Sequence, residues 1–209
     1  MEVDGGLIRQ DSRLKYAVKK MLVSLADSWI STGEQTTKFL VHYGAKEERI
    51  SEYPFSSLHE RDVLDAVPLP EKKKQLRREL GIEEEKMVLS IGQFIHRKGY
   101  DILLRSAAAL EPGTGIYIIG GEPTEEYTQL CQELGLTNVH FLPFMKKDRL
   151  IRYYCASDVF VLPTREDIWG LVINEAMAYG LPVITTDRCV AGLELVEDSV
   201  NGFIVPVED

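Results

Sequence analysis

Paired cysteines, long apolar runs and the glycine signatures of the common nucleotide loops are all missing from this chain. Its three cysteines, Cys131, Cys155 and Cys189, lie far apart and form no CxxC pair. That spacing excludes a disulfide framework and a zinc cluster, and it points to a reducing compartment. The four histidines are equally scattered, so no metal site is expected. No apolar run approaches the roughly 18 residues of a membrane span, and the N-terminus has no apolar signal-peptide core. A cytoplasmic protein is the expectation. Excess positive charge is lacking too: 24 Lys and Arg stand against 33 Asp and Glu, a formal net charge of −9. Broad nucleic-acid binding would need a concentrated basic face, so that class is set aside. Neither GxGxxG after a strand nor GxxxxGK[ST] occurs, and dinucleotide and P-loop readings lose their defining glycines.

What is present is a strand–helix alternation. From about residue 86 the apolar runs are MVLSIG (87–92), IYIIG (116–120), VHFL (139–142), DVFVL (158–162), PVITT (182–186) and GFIV (202–205). They are short, β-branched and unalternating, as strands buried on both faces should be. Helical stretches lie between them: YDILLRSAAAL, EEYTQLCQELG, DRLIRYYCAS, GLVINEAMAYG and AGLELVED. Gly81, Gly135 and Gly180 stand where helix C-caps belong. The predicted class is therefore α/β, a doubly wound, parallel, Rossmann-like sheet.

The first 68 residues behave differently. A basic amphipathic segment, RLKYAVKKMLVSLA, leads to DSWIST, then EQTTKFLVHYG, then ERISEYPF. This reads as the closing βαβ piece of another α/β domain, with a linker around Asp65–Pro70. The second unit, 69–209, then opens on PEKKKQLRRELG, where Pro70 suits a helix start. The chain ends at IVPVED, just after a strand, and is expected to be cut short at both ends. A βαβ remnant that cannot bury its own faces is expected to self-associate.

One helix poses the functional question. Gly170 to Tyr179 is apolar nearly all round, yet Glu175 sits in its middle. An unpartnered carboxylate in an interior costs several kcal/mol, so it must be paired, protonated or turned to a polar ligand. In a doubly wound sheet of order 3-2-1-4-5-6, ligands bind where strand order reverses, beyond the carboxyl ends of the first and fourth strands. The loops there are QFIHRKG and PTREDIWG, which place Lys98 on one side and Asp167 and Gly170 on the other. The amides of Gly170, Leu171 and Val172 have no intrahelical partners, and the helix dipole makes that end positive. With the Lys98 ammonium they form a diphosphate cradle that needs no metal. Side chains lean toward the N-terminus of a helix, so Glu175 can reach the same crevice and accept from the vicinal hydroxyls of a ribose.

Each residue also has a plainer reading. Asp167 can cap the helix, Lys98 can be a solvated lysine, and Glu175 can pair with an interior Arg or Lys. The glycines of IIGGEP suit either a tight turn or close ligand approach, and His96 reads as loop. The basic helix Arg13–Lys20 reads as a solvated face, with peripheral membrane contact as the secondary reading.

Taken together, D167-IWGLVIN-E175, EAMAYGLPVI, IGQFIHRKGYDILL, YYCASDVFVLPT and NGFIVP resemble the donor-binding, C-terminal half of the retaining glycosyltransferases of family 4, the group 1 glycosyltransferases with the GT-B fold. The family signature is two glutamates separated by seven residues, and Asp167 and Glu175 keep that spacing. The match runs from about residue 75 to the end. The stretch STGEQTTKFLVHYGAKEERISEYPF resembles the end of the family's acceptor-side domain. The resemblance implies that Lys98 and the amides at Gly170, Leu171 and Val172 bind the donor diphosphate, that Glu175 holds the ribose, and that Asp167 contacts the transferred sugar. Lys98, Asp167 and Glu175 are then the catalytic set, and Pro143, Phe144 and Met145 would lie against the base. Two departures stand out. Asp167 replaces the first signature glutamate and is shorter by a methylene. Gln93, in the diphosphate loop, replaces the usual arginine, a charge that Arg97 or Arg165 could supply.

The implied function is retaining transfer of a sugar from a nucleotide diphosphate to a glycan or lipid-linked acceptor. The implied chemistry uses no metal, in keeping with the lack of an Asp-x-Asp pair, and this chain would bind donor better than it transfers. Two other functions remain open: a nucleotide-sugar epimerase of the same fold, and a non-catalytic nucleotide-binding or interaction module.

Overall fold

Runs of β-branched residues with no polar alternation need cover on both faces, and the helices between them supply it. The computed structural model describes residues 1–208 as two parallel sheets. The first contains β1 (Glu2–Val3), β2 (Trp29–Ser31) and β3 (Ile50–Glu52), in that order. Its crossovers are α1 (Arg13–Ser24) and α2 (Glu34–His42). Val23, Trp29, Leu40, Tyr43 and Ala45 make a small core of their own. The piece is thus βαβαβ and longer by a strand than the sequence suggested. The two residues of β1 are too few to form an apolar run. Helix α1 differs from its reading as a plain basic face: Leu14 is about three-quarters exposed and Met21 more than half, beside the lysines.

After the linker, α3 (Pro70–Leu80) begins with its proline at the first turn and ends on Gly81 at φ 72°, where a left-handed C-cap favours glycine. The large sheet follows. Its elements are β4 (Lys86–Ile91), α4 (Tyr100–Ala107), β5 (Thr114–Ile119), α5 (Glu125–Glu133), β6 (Val139–Leu142), α6 (Lys147–Ala156), β7 (Val159–Leu162), α7 (Leu171–Ala178), β8 (Val183–Thr186), α8 (Val190–Leu195) and β9 (Gly202–Val205). The strand order is β6-β5-β4-β7-β8-β9, all parallel. That is the expected 3-2-1-4-5-6 order. Alternate residues of one strand serve opposite layers, as the period of two requires. Met87 and Leu89 pack in the core that includes α6, α7 and α8 residues, whereas Val88 joins the core with α4 and α5.

Strand order therefore reverses between β4 and β7, and the loops leaving those two strands touch. Gly99, at φ 70°, ends a 3-10 turn over His96–Lys98 and starts α4. A Cβ there would overlap the Pro163 carbonyl oxygen. Gly81 has a similar φ of 72° but open space around it. This pair separates backbone strain from collision. Gly81→Ala is expected to cost about 1 kcal/mol and Gly99→Ala about 3 kcal/mol. Urea unfolding midpoints at an unchanged m-value check both. Gly120 has a different use from the ligand approach weighed in the sequence, because its Cβ would overlap the Gly92 carbonyl oxygen. Its glycine lets β4 and β5 end side by side.

Candidate functional site

The two crevice loops are fastened to each other. Thr164 Oγ1 and the Arg165 amide both donate to the Arg97 carbonyl, at 2.9 and 2.8 Å. Arg165 donates to the His96 carbonyl at 2.8 Å and grips both oxygens of Asp101, at 2.8 and 2.7 Å. The hydrogen bond from Arg165 holds the Asp101 carboxyl below its usual range. Arg165 is thereby committed to the scaffold. Of the two arginines offered as substitutes for the missing charge at Gln93, only Arg97 reaches the Lys98–Asp167 pair, with Nη1 3.8 Å from Asp167 Oδ1 while it donates to the Glu166 carbonyl at 2.8 Å.

Lys98 follows directly from this fastening. Its ammonium lies 2.6 Å from Asp167 Oδ2, and the two side chains are only 13% and 12% exposed. Lys98 is therefore not a solvated surface lysine. Asp167 is not a helix cap either: its amide donates to the Arg188 carbonyl at 2.8 Å and its own carbonyl accepts from Val190 at 3.2 Å. The backbone on both sides of the carboxylate is thus fixed by α8's approach.

Helix α7 starts on Gly170, at φ 97°. A Cβ there would lie 2.7 Å from Cys189 Sγ. The glycine is demanded by the left-handed backbone and the buried thiol beneath it, not by ligand approach alone. Burial pushes that thiol up to about 11, so Cys189 stays neutral. The start of α7 opens onto a cavity of about 240 Å³ lined by Lys98, Asp167, Gly170, Leu171 and Val172. Asp4 and Phe55 of the N-terminal unit close its other side.

Glu175 lies one turn further along. Its Oε2 accepts from the Tyr154 hydroxyl at 2.7 Å. No Lys or Arg pairs with it among the described residues, so the interior ion pair is not formed. It lines a second cavity of about 300 Å³ together with Phe144, Met145, Tyr154, Val172 and Tyr179. Met145 is buried there and Phe144 stands exposed at its edge. Val172 borders both cavities, so the two adjoin there and are treated together as a trough. The first is lined by a cation and the amides that open α7, the second by a carboxylate, Lys147 and apolar side chains.

Gln93 falls outside this arrangement: it is exposed and borders neither cavity. Other residues enter it unannounced by the sequence. Trp169 Nε1 donates to Asn174 Oδ1 at 2.8 Å, Asn174 donates to the Phe55 carbonyl, and the Phe55 and Trp169 rings meet edge to face at 5.3 Å. Long-range partners of this kind, 119 residues apart for Asn174 and Phe55, leave no local pattern in a sequence.

Comparison with known proteins decides the family. The profile of the glycosyl transferases group 1 matches residues 72–209. The chain belongs to the group 1 glycosyltransferases. It is 31% identical to the D-inositol 3-phosphate glycosyltransferase of Nocardia farcinica, over 90% of this chain and 43% of that protein. Among solved structures it resembles sucrose-phosphate synthase of Thermosynechococcus elongatus, with a TM-score of 0.76 and 27% identity, over 96% of this chain and 50% of the other. It also resembles Anabaena HepE in complex with UDP and glucose, with a TM-score of 0.73 and 25% identity, over 92% and 54% of the two chains. The chain spans about half the length of these relatives. In group 1 terms, the six-stranded unit corresponds to the C-terminal half of a GT-B fold.

Proposed function

We propose that the trough holds a nucleoside-diphosphate sugar, and that the protein transfers the sugar, with retention, to a glycan or lipid-linked acceptor without a metal ion. The observation that carries this reading is that Val172 lines both the Lys98 cavity and the Glu175 cavity, which sets them side by side. Read along the trough, the diphosphate meets Lys98 and the first amides of α7, the ribose meets Glu175, and the base lies against Met145 and Phe144. The complex of HepE with UDP and glucose supports uracil as the first base to try.

Lys98 pairs with Asp167 at 2.6 Å. An arriving diphosphate competes for the ammonium and so frees a carboxylate oxygen of Asp167 for hydroxyls of the transferred sugar. As the glycosidic bond breaks, negative charge grows on the leaving diphosphate. Fixed donors aimed at that charge are worth about 3 kcal/mol each in comparable sites. Lys98 and the α7 amides are those donors.

Glu175→Ala is expected to weaken UDP binding about 20-fold, through the loss of hydrogen bonds to a charged acceptor. Calorimetric titration of both proteins in EDTA tests it, and equal affinities would move the ribose elsewhere. Release of free sugar from a UDP-sugar by the wild-type chain separates a transferase from a module that only binds.

A further inference from the structure

The ribose carboxylate has a fixed partner whose role goes beyond packing. Glu175 sits half-buried in the middle of a mostly apolar helix, where a polar group needs a hydrogen-bond partner. The Tyr154 hydroxyl is the donor it has, at 2.7 Å. That phenol cannot wander: Tyr154 is 1% exposed, and its ring stacks on Tyr179 with centroids 5.2 Å apart and planes at 23°. Phe160 backs it at 6.0 Å. Burial first, and then the Glu175 carboxylate, raise the phenol well above its ordinary range, so it donates at every working pH. One carboxylate oxygen is thereby pinned to the core, in a side chain that lines the cavity.

We propose that Tyr154 is a positioning residue that aims Glu175 at the ribose diol and so sets the preference for ribonucleotides over 2′-deoxyribonucleotides. This rests on the reading of the trough as a nucleotide site. A side chain on a flexible stem loses part of its hydrogen-bonding advantage unless its rotamer is fixed beforehand. Tyr154 supplies that fixing from a different helix, α6, so the diol specificity of α7 depends on how the two helices pack.

The test compares UDP with 2′-deoxy-UDP, by calorimetry, on the wild-type chain, Tyr154→Phe and Glu175→Ala. Tyr154→Phe keeps the ring and its stacking and removes only the hydroxyl. UDP affinity is expected to fall about tenfold in Tyr154→Phe, and 2′-deoxy-UDP affinity less than about twofold, so the preference collapses. Equal losses for both ligands would mark a packing role and overturn the proposal. So would a preference that survives Tyr154→Phe and disappears in Glu175→Ala, which would leave the ribose assignment standing. A wild-type chain that does not distinguish the two ligands would overturn that assignment itself, and the positioning role with it.

Discussion

Lys98→Ala is expected to slow release of sugar from a UDP-sugar by about 100- to 1,000-fold, the loss seen when a donor to developing negative charge is removed. Binding of UDP itself should weaken about 30-fold, because part of the ammonium's contribution is already spent on Asp167 in the free protein. The difference between the two losses is informative. A lysine that merely attracted the ligand would lower affinity and leave turnover at saturating donor unchanged. A lysine aimed at the leaving diphosphate lowers both. The variant also leaves the Asp167 carboxylate, 12% exposed, with only Arg97 at 3.8 Å. Its unfolding midpoint should therefore fall as well, by an amount that Lys98→Met and Lys98→Ala share. Initial rates at saturating and limiting donor, beside titrations with UDP, measure these quantities.

The second large effect lies away from the trough. Arg77 is 6% exposed on α3. Its guanidinium donates to the Ala156 carbonyl at 2.8 Å, to Asp158 Oδ2 at 2.6 Å and to the Glu85 carbonyl. Asp158 Oδ2 also accepts from the Met87 amide at 2.8 Å. One side chain thus joins the opening helix of the domain to the start of β4 and to the α6–β7 turn. Asp158 is 40% exposed and keeps Lys73 at 3.5 Å, so the loss comes mainly from the Ala156 and Glu85 carbonyls left without their charged donor, about 3 kcal/mol together. Arg77→Met should lower the melting temperature by about 10 °C, at about 2–4 °C per kcal/mol for a chain of this size. Donor affinity, measured well below the transition, should be unchanged. Calorimetric melting with a UDP titration at low temperature checks both halves.

Arg77 also shows where sequence reading stops. PEKKKQLRRELG announces a helix through its proline and glycine, and both sit as expected at the ends of α3. Nothing in a run of basic residues says which one turns inward, because Lys74 and Arg77 look alike until β4 and α6 are beside them. The six strands were legible for the opposite reason. Burial on both faces leaves an apolar run that needs no partner to be recognised. The α7 signal was of the same kind, a charge in an apolar helix, and it located Glu175. Tyr154 escaped because an aromatic in an amphipathic helix reads as core, which it also is. Gln93 enters only through the family resemblance and lies outside both cavities, since a loop residue's direction is set by contacts that the sequence does not order. The Lys98–Asp167 pair bridges 69 residues. The sequence points each partner at a ligand, and the structure shows that they hold each other.

The most direct measurement is a crystal structure of this chain with UDP bound. The expected result has diphosphate oxygens on Lys98 Nζ and the Leu171 and Val172 amides, the ribose diol on Glu175 and uracil beside Met145. UDP bound in the trough with its ribose at Lys98, or bound outside the β4–β7 crevice, would contradict the assignment.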